Sequence, residues 1–214
     1  DTNGVTDVFV RDRQAGTTSL VSRNSSGTGS GNSFSSGSAL SADGRYVAFS
    51  SEASNLVAGD ANGAEDVFLR DLQTGTTILV SVNSAGTSSG NGLSRAATMT
   101  ADGRLVGFHS LASNLVAGSG DTNGRADAFV RDMSAGTTFL ISGHASGIGD
   151  RTSGAIIVNP AGTRLVFLST STNLAANDLN STFDVFTVPF PAPDLPFGDG
   201  FESGSFSVWS GFRP

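Results

Sequence analysis

The clearest polar constellation in the chain is a spacing, Asp-x-Asn-x-x-x-Asp, that occurs four times: Asp1, Asn3 and Asp7; Asp60, Asn62 and Asp66; Asp121, Asn123 and Asp127; Asp178, Asn180 and Asp184. Oxygen donors alternate along each copy, Gly4, Gly63 or Gly124 follows the Asn in three of them, and the last carboxylate opens an apolar run. This matches the first part of a calcium loop, since hard cations collect six to eight oxygens. Calcium held by these twelve residues is therefore one expectation. Each copy lacks an acid at the fifth position and a Glu at the twelfth, so carbonyls, water or a neighbouring unit would have to complete the shell. The same residues also suit Asx turns, with Gly supplying positive φ. Both readings remain open at the level of sequence.

Other groups capable of chemistry are less organised. Arg11-Asp12, Arg70-Asp71 and Arg131-Asp132 recur with the same period. Such repetition points to a structural use, each Arg meeting a partner in the adjacent strand or blade. His109 and His144 are single occurrences without a carboxylate at a useful spacing, so neither is expected to act as ligand or base. Serine is abundant but never set in a nucleophile elbow, and Gly27-Thr28-Gly29-Ser30-Gly31 and Gly147-Ile148-Gly149 precede no helix that could hold a phosphate. Cysteine is absent, which removes thiolate chemistry and disulfides. No catalytic residue is assigned, and the expectation is a protein that is not an enzyme.

The elements that carry these residues follow from composition and repetition. All 12 basic residues are Arg, and Glu occurs only at 52, 65 and 202. A chain without Lys and nearly without Glu lacks the usual helix surface, while Val, Thr and Phe between Gly, Ser and Asp suit strands and turns. A net charge of −7 disfavours nucleic acid. No apolar run is long enough to span a bilayer. Asp7-Val8-Phe9-Val10-Arg11-Asp12 returns at Asp66–Asp71, at Asp127–Asp132 and, weakened, at Asp184–Val188, about 59 residues apart. Ser41-Ala42-Asp43-Gly44-Arg45 returns at Thr100–Arg104 and, as Asn159–Thr163, once more. Each unit reads as four strands, A to D, with the Asp-Gly turn joining A to B and a Gly-Thr-Thr turn joining C to D. The expected fold is an all-β propeller of four-stranded antiparallel blades, with a flat solenoid as runner-up.

The stretches Ala39–Ser51 and Asp66–Gly75 resemble the TolB-like β-propeller repeat of bacterial envelope and secreted proteins. The resemblance covers roughly residues 1–190 and implies a propeller, usually of six or more blades, used for protein contacts or joined to enzymes such as peptidases. It implies no single activity. Residues 191–214 read as a Pro/Gly-rich tail, and Phe197–Gly204 through Trp209-Ser210 is similar to a short ending found on many exported bacterial proteins. A secreted, periplasmic or cell-surface location follows from both likenesses.

Strand counting gives C and D, two complete units, then A, B and C without a clear D: about three and a half blades. The start inside a unit carries the expectation that residues upstream of Asp1 were removed, leaving room there for an export signal. An open ring exposes strand edges, so the expected role is a protein-binding or assembly module, homotypic or part of a longer propeller, with calcium as its expected ion. The propeller portion of a larger hydrolase and a filament or surface-layer subunit are the alternatives.

Overall fold

A computed structural model of the chain describes residues 3–118, 121–144, 147–176, 178, 180–190 and the pair Ser207–Val208. Apolar residues bounded by Gly and Asp turns pair here as antiparallel neighbours. The first sheet has two strands, β1 (Phe9–Asp12) and β2 (Thr17–Leu20). The second runs in the order β3 (Ser35–Leu40), β4 (Tyr46–Ser51), β5 (Asp66–Asp71), β6 (Thr76–Leu79). The third contains β7 (Ser94–Met99), β8 (Leu105–Ser110), β9 (Asp127–Asp132) and β10 (Thr137–Leu140), again in sequence order. A small ribbon, β11 (Gly143–His144) with β12 (Gly147–Ile148), leads to the fourth sheet: β13 (Ser153–Val158), β14 (Arg164–Ser169), β15 (Asp184–Pro189) and β16 (Ser207–Val208). These sheets are blades with strands A to D, and the first is a half-blade holding C and D alone.

The repeated phenylalanines explain why strands B and C lie at the centre of each blade. Phe49 pairs with Phe68, Phe108 with Phe129 and Phe167 with Phe186 in the antiparallel register. Their rings stack at 5.7, 5.8 and 5.3 Å between centroids. All six are buried. Between blades, three apolar clusters form the core: Val8, Val21 and Val47 at the first junction, Val67, Val80 and Val106 at the second, Ala128, Val130 and Ile156 at the third. Contact at the third junction is close enough that a Cβ on Gly107 of β8 would fall 2.8 Å from Val158 Cγ2.

One expectation gains detail and one needs adjustment. The Asp-Gly turn joins A to B, as its sequence suggests. In the second blade the connection runs from Ser41 to Arg45, closed by Gly44 N–H donating to the Ser41 carbonyl at 3.0 Å, and Gly44 takes φ +73°. The fourth unit also has an outer strand, because Ser207–Val208 pairs with Thr187 and Phe186. The rest of 191–214, including the similarity at Phe197–Gly204, lies outside the described residues.

Candidate functional site

In the first three units the carboxylate at the entry to strand C is anchored by a Ser two residues beyond strand D. Ser81 Oγ donates to Asp66 Oδ1 at 2.5 Å and accepts from Val67 N–H at 3.0 Å. Ser22 with Asp7 and Ser142 with Asp127 repeat the arrangement at 2.6 and 2.7 Å. The Asn of each spacing closes an Asx turn: Asn3, Asn62, Asn123 and Asn180 accept through Oδ1 from the N–H two residues on. In the first three copies Nδ2 also donates to a glycine carbonyl, of Gly31, Gly90 or Gly149, at 2.8 to 2.9 Å. The turn reading thus accounts for what the Asn side chains do. It leaves the carboxylates to be explained.

Asp60 and Asp66 are close enough at the entry to β5 for each carboxyl to act on the other. Both oxygens of Asp60 and Oδ2 of Asp66 are buried without a partner. Burial pushes the Asp66 carboxyl up to about 7, with the Asp60 charge adding and the Ser81 hydrogen bond opposing. Asp60 is raised by burial as well. In the third blade burial raises Asp127 to about 6 against the hydrogen bonds from Ser142 and Asn123, and Asn123 Nδ2 reaches Asp127 Oδ2 at 2.9 Å. Burial raises Asp121 too. In the fourth copy Asp178 Oδ1 accepts from Asn180 N–H at 3.4 Å, and Asp184 Oδ2 is buried without a partner. Asp1 lies outside the described residues. Among them no three His, Cys, Asp or Glu side chains converge, so any ion here would rest on a carboxylate pair plus carbonyls and water.

The Arg-Asp repeats are structural, and their partners are now defined. Arg70 donates to Thr77 Oγ1 in the paired strand at 2.9 Å, as Arg11 does to Thr18 and Arg131 to Thr138. Asp71 accepts from Gln73 and Thr74 N–H in the C-to-D turn and from Arg45, whose guanidinium lies 2.7 Å away. Asp132 binds Ser134, Ala135 and Arg104 in the same way. Sequence reasoning had not matched Arg45 and Arg104 to these acids. Their fixed place after the Asp-Gly turn was the available signal. His109 is half-buried on β8, and burial lowers its pKa, with the Arg95 charge adding. The His144 side chain is outside the described residues.

The strand edge expected at the half-blade is defined by which side chains it leaves open. Among the described residues β1 pairs with β2 alone. Phe9 is 48% exposed, whereas Phe68 and Phe129 at the same place in later blades are 0% and 1% exposed. Leu40 on β3 is 54% exposed, whereas its counterpart Val158 is 4%. These side chains flank the space that strands A and B occupy in every other blade.

Comparison with solved structures matches this architecture. The fold is that of a TolB-like β-propeller. A putative TolB from Agrobacterium tumefaciens superposes with a TM-score of 0.53 at 16% identity, covering 97% of this chain and 57% of its own. TolB from Acinetobacter baumannii gives 0.51 at 15% identity, over 94% of this chain and 37% of that one. The tricorn protease gives 0.51 at 15% identity, over 92% and 18%. The chain therefore spans only part of the length of the structures it resembles. No protein-family model and no curated protein matches it.

Proposed function

We propose that the chain is a non-enzymatic, exported propeller module that works by protein contact, its half-blade taking strands from other polypeptide. The observation that carries this reading is Phe9, which lies open where Phe68 and Phe129 are covered. An unpaired strand edge recruits strands, since its N–H and C=O groups gain partners and the flanking apolar side chains leave water. The incoming segment is specified by the later blades: an A-to-B hairpin with a Phe facing Phe9 and, after its turn, an Arg facing Asp12. Export rests on the sequence likenesses, and no described helix is long and apolar enough to cross a membrane.

The test is a fusion that places a copy of residues 32–59 directly before Asp1. The melting temperature is expected to rise, and the amides of Phe9–Asp12 to exchange more slowly with solvent. In a second fusion, the copied Arg45 and Phe49 positions carry Ser, and it should give less of both effects. Unchanged amide exchange at β1 in a folded fusion would overturn the reading. A second reading, the propeller portion of a larger hydrolase, is favoured by the likeness to the tricorn protease. A hydrolase domain in the complete polypeptide would distinguish it.

A further inference from the structure

The Asp60–Asp66 pair presents an electrostatic problem that the Asx turn does not solve. Asp66 is fully buried. Its Oδ1 is taken by Ser81, while its Oδ2 and both oxygens of Asp60 are buried without partners. Two bare carboxylates at such separation repel, and burial removes the water that would screen them. The neighbouring Asn62 accepts from Ala64 N–H at 2.8 Å and donates to the Gly90 carbonyl at 2.8 Å. None of the ion pairs among the described residues involves either acid. The third blade shows one remedy, since Asn123 donates to Asp127 Oδ2 at 2.9 Å. In the second blade the Asn62 side chain also lowers the Asp66 carboxyl, but it makes no hydrogen bond to Oδ2, which stays without a partner.

We propose that Asp60 and Asp66 bind an oxygen-preferring divalent cation through these three unpartnered oxygens, tying the connection between β4 and β5 to the first residue of β5. Backbone carbonyls and water complete the shell, as such ions require. The ion neutralises the pair and stabilises the folded state alone, because the two residues are not held together in the unfolded chain. This inference is independent of strand completion at β1.

Calcium is the probe. The 214-residue chain is stripped with chelator, then followed by calorimetric titration and by melting. Calcium at a hundredfold excess over Kd is expected to raise the melting temperature by roughly 5–10 °C. Asp60→Asn should bind one equivalent fewer and lose most of the shift, and Asp43→Ala, in the A-to-B turn, should retain both. Asp60 lies on the connection, not in the strand, so its substitution spares the ladder. Asp66→Asn, which keeps an acceptor for Ser81, is the second variant and should behave as Asp60→Asn does. Unaltered stoichiometry and melting shift in a folded Asp60→Asn would overturn the proposal. So would failure of the unsubstituted chain to take up calcium, accompanied by an infrared band of a protonated carboxyl that Asp60→Asn removes, since a shared proton would then join the pair.

Discussion

Asp12, Asp71 and Asp132 occupy one place in three successive C-to-D turns, and all three accept from the N–H groups two and three residues on. Only the last two also meet a guanidinium. The Arg45 hydrogen bond holds Asp71 well below the usual carboxylate range. For Asp132 burial works upward, but the Arg104 hydrogen bond and the turn amides outweigh it and the carboxyl is lowered. A depressed carboxyl stabilises the fold at pH above its unfolded value and loses that contribution as pH falls through the folded one. Asp132→Asn should therefore flatten the acid limb of a stability-against-pH curve. Asp132→Ala should cost about 2 kcal/mol by denaturant unfolding, because it leaves part-buried turn amides and a partly buried Arg unmatched. Asp12→Ala, which removes no ion pair, should cost clearly less.

At the level of elements, the stacked phenylalanines show how one hexapeptide acquires different energetic weight. β5 lies between β4 and β6, and Phe68 stacks on Phe49 from the neighbouring strand. β1 carries the same Asp-Val-Phe pattern yet has a partner on one side only. Phe68→Ala should destabilise the chain by about 3–5 kcal/mol, the range for emptying a buried aromatic site. Phe9→Ala should change stability by about 1 kcal/mol or less, as exposed positions do. Comparable losses at both positions, read from urea midpoints, would show that β1 is already covered.

At the scale of the whole molecule, the described blades have two unlike ends. One end presents Phe9 and Leu40, 48% and 54% exposed, beside the edge of β1 that no described strand pairs. The other presents Val185, 45% exposed, where Val67 and Ala128 at the same place in complete junctions are fully buried. Apolar surface at both ends of a repeat array favours association by heterologous contacts. The mass of the native particle, measured by light scattering, should accordingly exceed the 21.6 kDa of one chain. Asp12→Arg, which puts a second cation where the incoming Arg is expected, should lower it. A strict monomer whose stability matches that of a closed propeller would contradict this.

The strands, their order within a blade and the length of the period are legible in the sequence because they depend on local patterns. Apolar runs, Gly and Asp turns and a spacing near 59 residues recur in register. The exchange of partners between turns, Arg45 with Asp71 and Arg104 with Asp132, also recurs, but it joins residues far apart in the chain and needed the folded sheet to be seen. The same holds for the four Asp-x-Asn spacings, which are nearly identical as text. Tertiary structure separates them: Asn123 satisfies Asp127, while Asp66 keeps a buried oxygen bare beside Asp60. Likewise Phe9 and Phe68 are one residue type in one motif, and only the presence or absence of a neighbouring strand decides which is core. Spacing sets which atoms can recur, whereas burial and hydrogen-bond partners depend on what the fold brings alongside, and desolvation then determines the energetic consequence.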